Sequence, residues 1–167
     1  MKRIIISAAA LMALLVTTTA QADSVNGTSA SGTAAVTIFT PLAIVQNTGL
    51  DFGTLSSGAT SGAVAIGANN YLRAVSGGVG AIAVNNGKPA TFTVTGQSNA
   101  AINVVIALNM SGFSNGITGQ TNTGTVPLPT VLTGTTASFN IGGYLAIPAN
   151  TPPGVYAGSY AVSVNYP

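Results

Sequence analysis

Pro152-Pro153-Gly154-Val155-Tyr156-Ala157-Gly158-Ser159-Tyr160-Ala161-Val162-Ser163-Val164-Asn165-Tyr166 closes the chain. After the stiff Pro-Pro-Gly turn, Tyr156, Tyr160, Val162, Val164 and Tyr166 fall on one parity with Gly158 among them, while Val155, Ala157, Ser159, Ala161, Ser163 and Asn165 take the other. Side chains of a strand point alternately to its two faces, so large apolar residues on one face and small or polar ones on the other predict a half-buried antiparallel strand.

The same pattern recurs upstream. Leu42 to Gln46, Ala63 to Gly67, Ile102 to Leu108, Leu128 to Leu132, Ala137 to Ile141 and Tyr144 to Pro148 read as strands, and Gly80 to Val84 with Ala90 to Thr95 read as a hairpin around Asn85-Asn86-Gly87-Lys88. Ser56 to Gly62 and residues 111 to 125 read as loops, Tyr71 to Val75 is weakly patterned, and Gly77-Gly78-Val79-Gly80 reads as a turn. No segment after the first two dozen residues has helical periodicity. Short strands with turn signals at short intervals argue an all-β, antiparallel β-sandwich.

Composition excludes most enzyme chemistry. The chain of 167 residues has no His and no Cys, its two acidic residues are both Asp, and charged residues make up 4%. General acid-base catalysis, thiolate or imidazole metal sites and Cys or His nucleophiles therefore lack their residues, and no catalytic residue, metal or cofactor is expected. Asp23 and Asp51 are a poor carboxylate pair, since one falls in a leader and the other follows a turn where Asx hydrogen bonding is common. The glycines at 77 to 80 lack the Lys and the following helix of a phosphate loop. Asn26-Gly27-Thr28 and Asn109-Met110-Ser111 are glycosylation sequons of the shortest kind.

The charges also set the address. Lys2 and Arg3 precede an apolar run from Ile4 to Val16, and Ala20-Gln21-Ala22 gives the small-x-small pattern for cleavage before Asp23, so residues 1–22 read as a secretory signal peptide. Its removal leaves Asp23, Asp51, Arg73 and Lys88, two of each sign. Such a surface offers nothing to nucleic acid or anionic lipid, and the mature chain has no segment for membrane insertion. Arg73 and Lys88 read as solvated loop residues. Export permits disulfides and none can form, so packing or assembly must supply stability.

Residues 23–33 have the small, polar composition of a flexible leader, and one domain is expected over 34–167. The C-terminal strand runs to the end of the sequence, which leaves its outer edge without a later strand. Ala34 to Thr40 is an extended apolar stretch behind the leader. It can pair within its own domain, together with the stretch to Gln46, or complete a neighbour's sandwich by β-strand addition.

The strand ending in Thr40-Pro41-Leu42, the Leu50-Asp51-Phe52-Gly53-Thr54 segment and the terminal Pro-Gly-Val-Tyr-Ala-Gly strand resemble the secreted Mat/Ecp-type fimbrial major subunits. They are more distantly similar to spore coat protein U-like pilins, whose cysteines near the first strand this chain lacks. The resemblance implies an immunoglobulin-like sandwich, a periplasmic chaperone, an outer-membrane usher and head-to-tail polymerisation into a surface fimbria with a role in adhesion or biofilm. It further implies a donor face of Ala34, Val36, Ile38 and Thr40, and an acceptor edge of Tyr156, Tyr160, Val162, Val164 and Tyr166. The alternative function is a self-contained secreted sandwich that binds a ligand such as a glycan as a monomer, with the C-terminal tyrosines as the stacking platform.

Overall fold

A computed structural model describes residues 28–69, 71–82, 87–123 and 127–167. The chain divides into two units, residues 1–36 and 37–167. In the first, the described residues 28–36 are irregular and exposed.

The second unit is an all-β antiparallel sandwich, and no helix occurs among the described residues. Its strands are β1 (Ala43–Thr48), β2 (Leu55–Ile66), β3 (Arg73–Ala81), β4 (Ala90–Thr95), β5 (Asn103–Ile106), β6 (Asn109–Met110), β7 (Thr118–Asn122), β8 (Thr136–Ile147) and β9 (Val162–Asn165). The larger sheet has the order β1-β4-β8-β2-β3, with β7 also on β8 and β6 on β7. The smaller sheet is β5-β9, extended past its regular part by the bridge Ser111 to Ser159.

Alternation places the core. On β4, Ala90, Phe92 and Val94 point inward and meet Phe139 and Ile141 of β8, Val104 of β5, Ile102 and Leu132. The Phe92 and Phe139 rings stack at 5.5 Å with 13° between their planes, a geometry worth about 0.5–1.5 kcal/mol beyond area burial. The far half of β8 carries Leu145 and Ile147 into a second cluster with Val64, Val79 and Ile117. Among the described residues no polar or charged residue is buried.

Several expectations from the sequence are corrected. The hairpin around Asn-Gly does not form: β3 pairs with β2, and β4 pairs with β1 and β8. Of that turn, residues 83–86 lie outside the described residues. Gly87 is buried, where an added Cβ would strike the Ile66 side chain, and Lys88 exchanges both backbone hydrogen bonds with Asp51. Alternation identifies a strand but not its partner.

Ser56–Gly62 is not a loop and residues 77–80 are not a turn; both lie inside the paired strands β2 and β3, whose register shifts between Ser57 and Gly62. A Cβ on Gly62 would run into the Ser76 carbonyl, and one on Gly78 into the Thr60 carbonyl. Gly77 adopts a φ of 64°, a left-handed conformation that glycine enters without penalty. The strands are glycine-rich because their backbones meet there.

Residues 111 to 125 also contain β7, seated on the second half of β8. The two short strands expected at 137–141 and 144–148 are one strand through Gly142-Gly143, and Leu128 to Leu132 contributes only the bridge Ala101 to Val131. Arg73 is no solvated loop residue. It opens β3, and its Nη1 donates to the carbonyls of Phe52 and Thr54, each at 3.4 Å. Asp51 does form the expected Asx contact, its Oδ1 accepting the Gly53 N–H at 2.8 Å.

Candidate functional site: a groove between two open edges

Among the described residues β1 pairs only with β4, and β9 only with β5, so each strand presents one unpaired edge. Both edges are free of charge and of proline, the usual devices that keep an edge from accepting another strand. Between them the sandwich is open. A groove of about 520 Å³ runs there, lined by Ile44 and Gln46 of β1, Leu50, Phe92 of β4, and Gly158, Tyr160 and Val162 on the C-terminal side. The floor is apolar, since Leu50 and Val162 pack against the first core cluster, which contains Phe92.

The groove has a fixed end. Tyr166 Oη donates to the Thr40 carbonyl at 2.6 Å and accepts the Gln97 backbone N–H at 2.7 Å. Gln97 Oε1 in turn accepts both the Thr40 N–H at 3.2 Å and its hydroxyl at 3.1 Å. The Phe39 ring meets Tyr166 edge-on at 5.2 Å. Thr40 is therefore held at the last turn of the C-terminal strand, from which β1 departs in the opposite direction to β9.

The match to known families spans the strands and the groove but not Phe39 and Thr40 of the clasp: residues 42–166, which hold the nine described strands, match the family described as "Domain of unknown function (DUF4402)". The chain belongs to that family. Nothing among curated proteins or solved structures matches it. The residues that line the groove all fall within the matched span, and the stretch before Leu42 lies outside it.

Of the residues singled out in the sequence, only Tyr160 and Val162 line this groove. Ala34 and Val36 belong to the first unit and carry no strand assignment, with Val36 84% exposed. Ile38 is also outside any strand and 85% exposed, whereas Thr40 is engaged by Tyr166 and Gln97 as above. The C-terminal face alternates as expected, each of Tyr156, Tyr160, Val162, Val164 and Tyr166 being partly buried. It is not one continuous strand, however. Only Val162–Asn165 is regular, because the chain at Gly158 is pressed against the Phe113 ring and meets Ser111 through a single bridge at Ser159.

Tyr160 and Val162 line the groove, while Tyr156 packs on the second cluster and its Oη donates to the Pro152 carbonyl at 2.7 Å. Ile44, Leu50 and Phe92 were not foreseen as site residues. Their alternation was visible, but only the fold brings three separate segments to one opening.

Tyr160 has a further peculiarity. Its Oη is buried with no hydrogen-bond partner among the described residues, and burial pushes the phenol above its ordinary pKa. An unsatisfied buried hydroxyl costs about 1–3 kcal/mol. Tyr160→Phe keeps the edge-on contact with Phe92 at 6.5 Å and removes only the hydroxyl. The variant is expected to be more stable by about 1 kcal/mol, raising the melting temperature by roughly 4 °C. Thermal denaturation checks this, and a lowered midpoint would show that the hydroxyl makes a bond in solution.

Proposed function

We propose that this DUF4402 protein is an exported, non-enzymatic structural subunit that assembles into a surface fibre by β-strand addition. The observation that carries the reading is the groove of about 520 Å³ between two unpaired, uncharged strand edges. Its complement is on the same chain, for Val36 and Ile38 are large apolar residues of one parity, both exposed and outside any strand. Residues 34–38 of one molecule enter the groove of the next, adding main-chain hydrogen bonds to an open edge while Val36 and Ile38 cover its apolar floor. A head-to-tail contact of this kind is heterologous and, unless its rotation closes, gives an open filament. The resemblance to fimbrial subunits and the signal-like residues 1–22 support the same reading, as does a composition without His, Cys or Glu. A chaperone and an usher handle the subunit in transit through the periplasm.

Electron microscopy of the surface of expressing cells, with intact-mass measurement on the sheared material, tests the proposal. Fibres built from a chain that starts near Asp23 are the expected result. A monomer free in the medium at all concentrations would overturn it.

A further inference from the structure

On the outer face of the larger sheet three strands bring exposed polar side chains into one row. Register sets Asn109 of β6 against Gln120 of β7, and Gln120 against Tyr144 of β8. The neighbouring residues point the other way: Met110 and Leu145 pack in the second core cluster, and a Cβ on Gly119 would fall 2.8 Å from Leu145 and 3.0 Å from the Met110 sulfur. Asn109, Gln120 and Tyr144 are all exposed, Tyr144 by 43%. The residue across from Tyr144 on β2 is Ala65, and the next outward residue along β8 is Gly142, so neither covers the ring.

These three line an open cleft of about 400 Å³ together with Ser111, Thr118 and the apolar Met110, Phe113 and Ile117. No charged residue lines it. Among the described residues the side chains of Asn109, Gln120 and Tyr144 have no hydrogen-bond partner. Some polar side chains elsewhere on the surface are paired internally, as in the Thr48 to Thr91 pair at 2.8 Å and the Asn115 to Tyr156 contact at 2.9 Å. The C-terminal tyrosines are no platform of this kind, because they face the core clusters.

The chemistry on offer is specific in class. Each amide presents a donor and an acceptor side by side, which matches two adjacent hydroxyls. A half-exposed phenol ring offers a flat apolar surface with a polar tip, which matches the C–H face of a sugar ring bordered by hydroxyls. The uncharged lining gives no reason for an acidic or basic ligand. We propose that the β6-β7-β8 outer face is a binding site for an uncharged carbohydrate, with Tyr144 stacking on the sugar ring and Asn109 and Gln120 bonding its hydroxyls. The site is separate from the groove and does not depend on assembly.

Saturation-transfer NMR on the mature protein tests this, since it reads the small ligand whether the protein is monomeric or assembled. The probes are mannose, galactose, N-acetylglucosamine and lactose, with N-acetylneuraminic acid as the charged counterpart. At least one neutral sugar is expected to receive saturation through its ring C–H protons, with a Kd on the order of 1 mM, and Asn109→Ala/Gln120→Ala is expected to weaken it about tenfold. Both substituted residues are exposed, so the double variant should keep the wild-type melting midpoint; Tyr144→Ala provides the second arm. The proposal is overturned if no neutral sugar is saturated, if the signal is unchanged in the double variant, or if only the charged sugar binds.

Discussion

Ile38→Asp is expected to yield a folded subunit that no longer assembles, and Thr37→Asp to assemble nearly as the parent does. Ile38 is 85% exposed in the isolated domain and outside any strand, so the substitution costs the fold no more than about 0.5 kcal/mol. In the proposed contact the same position would be buried against Ile44, Leu50 and Phe92 of the neighbour. Loss of the isoleucine there removes about 1.5–3 kcal/mol, and desolvating an unpaired carboxylate costs at least as much again. Together these would weaken the contact by roughly a hundredfold or more. Thr37 lies one residue away, and in an extended segment its side chain points to the opposite face. Size-exclusion mass measurement and electron microscopy on both variants at equal expression make the comparison. If both assemble like wild type, residues 34–40 do not join subunits.

Gly62→Ala is expected to lower the melting temperature by about 10 °C, the consequence of roughly 3 kcal/mol of overpacking. The added Cβ would run into the Ser76 carbonyl and lie 2.7 Å from the Val79 nitrogen and 2.8 Å from the Gly78 nitrogen. These are backbone atoms of the paired strand, and they can yield only if the β2–β3 ladder separates. Gly154→Ala is the control, since its Cβ would find nothing nearer than the Tyr156 ring at 3.7 Å. Equal midpoints for the two variants, measured by circular dichroism, would show that β2 and β3 do not approach so closely in solution.

The same two strands show where the sequence was silent. Strands with bulky residues on one face, such as β4, β5 and β9, were legible because burial requires that alternation. In β2 and β3 the constraint is close approach of backbones, met by Ser, Gly and Ala, and such residues imitate a loop. Partner choice was equally hidden: Asn85-Asn86-Gly87 suits a hairpin locally, but Gly87 is taken up beneath Ile66 and the flanking strands pair elsewhere. For the candidate site, Tyr160 and Val162 were readable from parity. Ile44, Leu50, Phe92, Asn109, Gln120 and Tyr144 acquire meaning only from register, because each meets its companions across a large gap in the chain.

The clasp formed by Thr40, Gln97 and Tyr166 has a mechanical consequence. In the proposed fibre, tension on the leading segment would enter the domain at Thr40, where the 2.6 Å hydrogen bond and the Phe39 ring contact to Tyr166 would share the load with the backbone that continues into β1. By way of Tyr166 it would reach β9, whose open edge borders the groove proposed to hold the next molecule. The load path thus hugs one flank of the sandwich. Most of the hydrophobic core is outside it, so a pulled filament would lengthen or part at these junctions while the folded bodies between them stay intact.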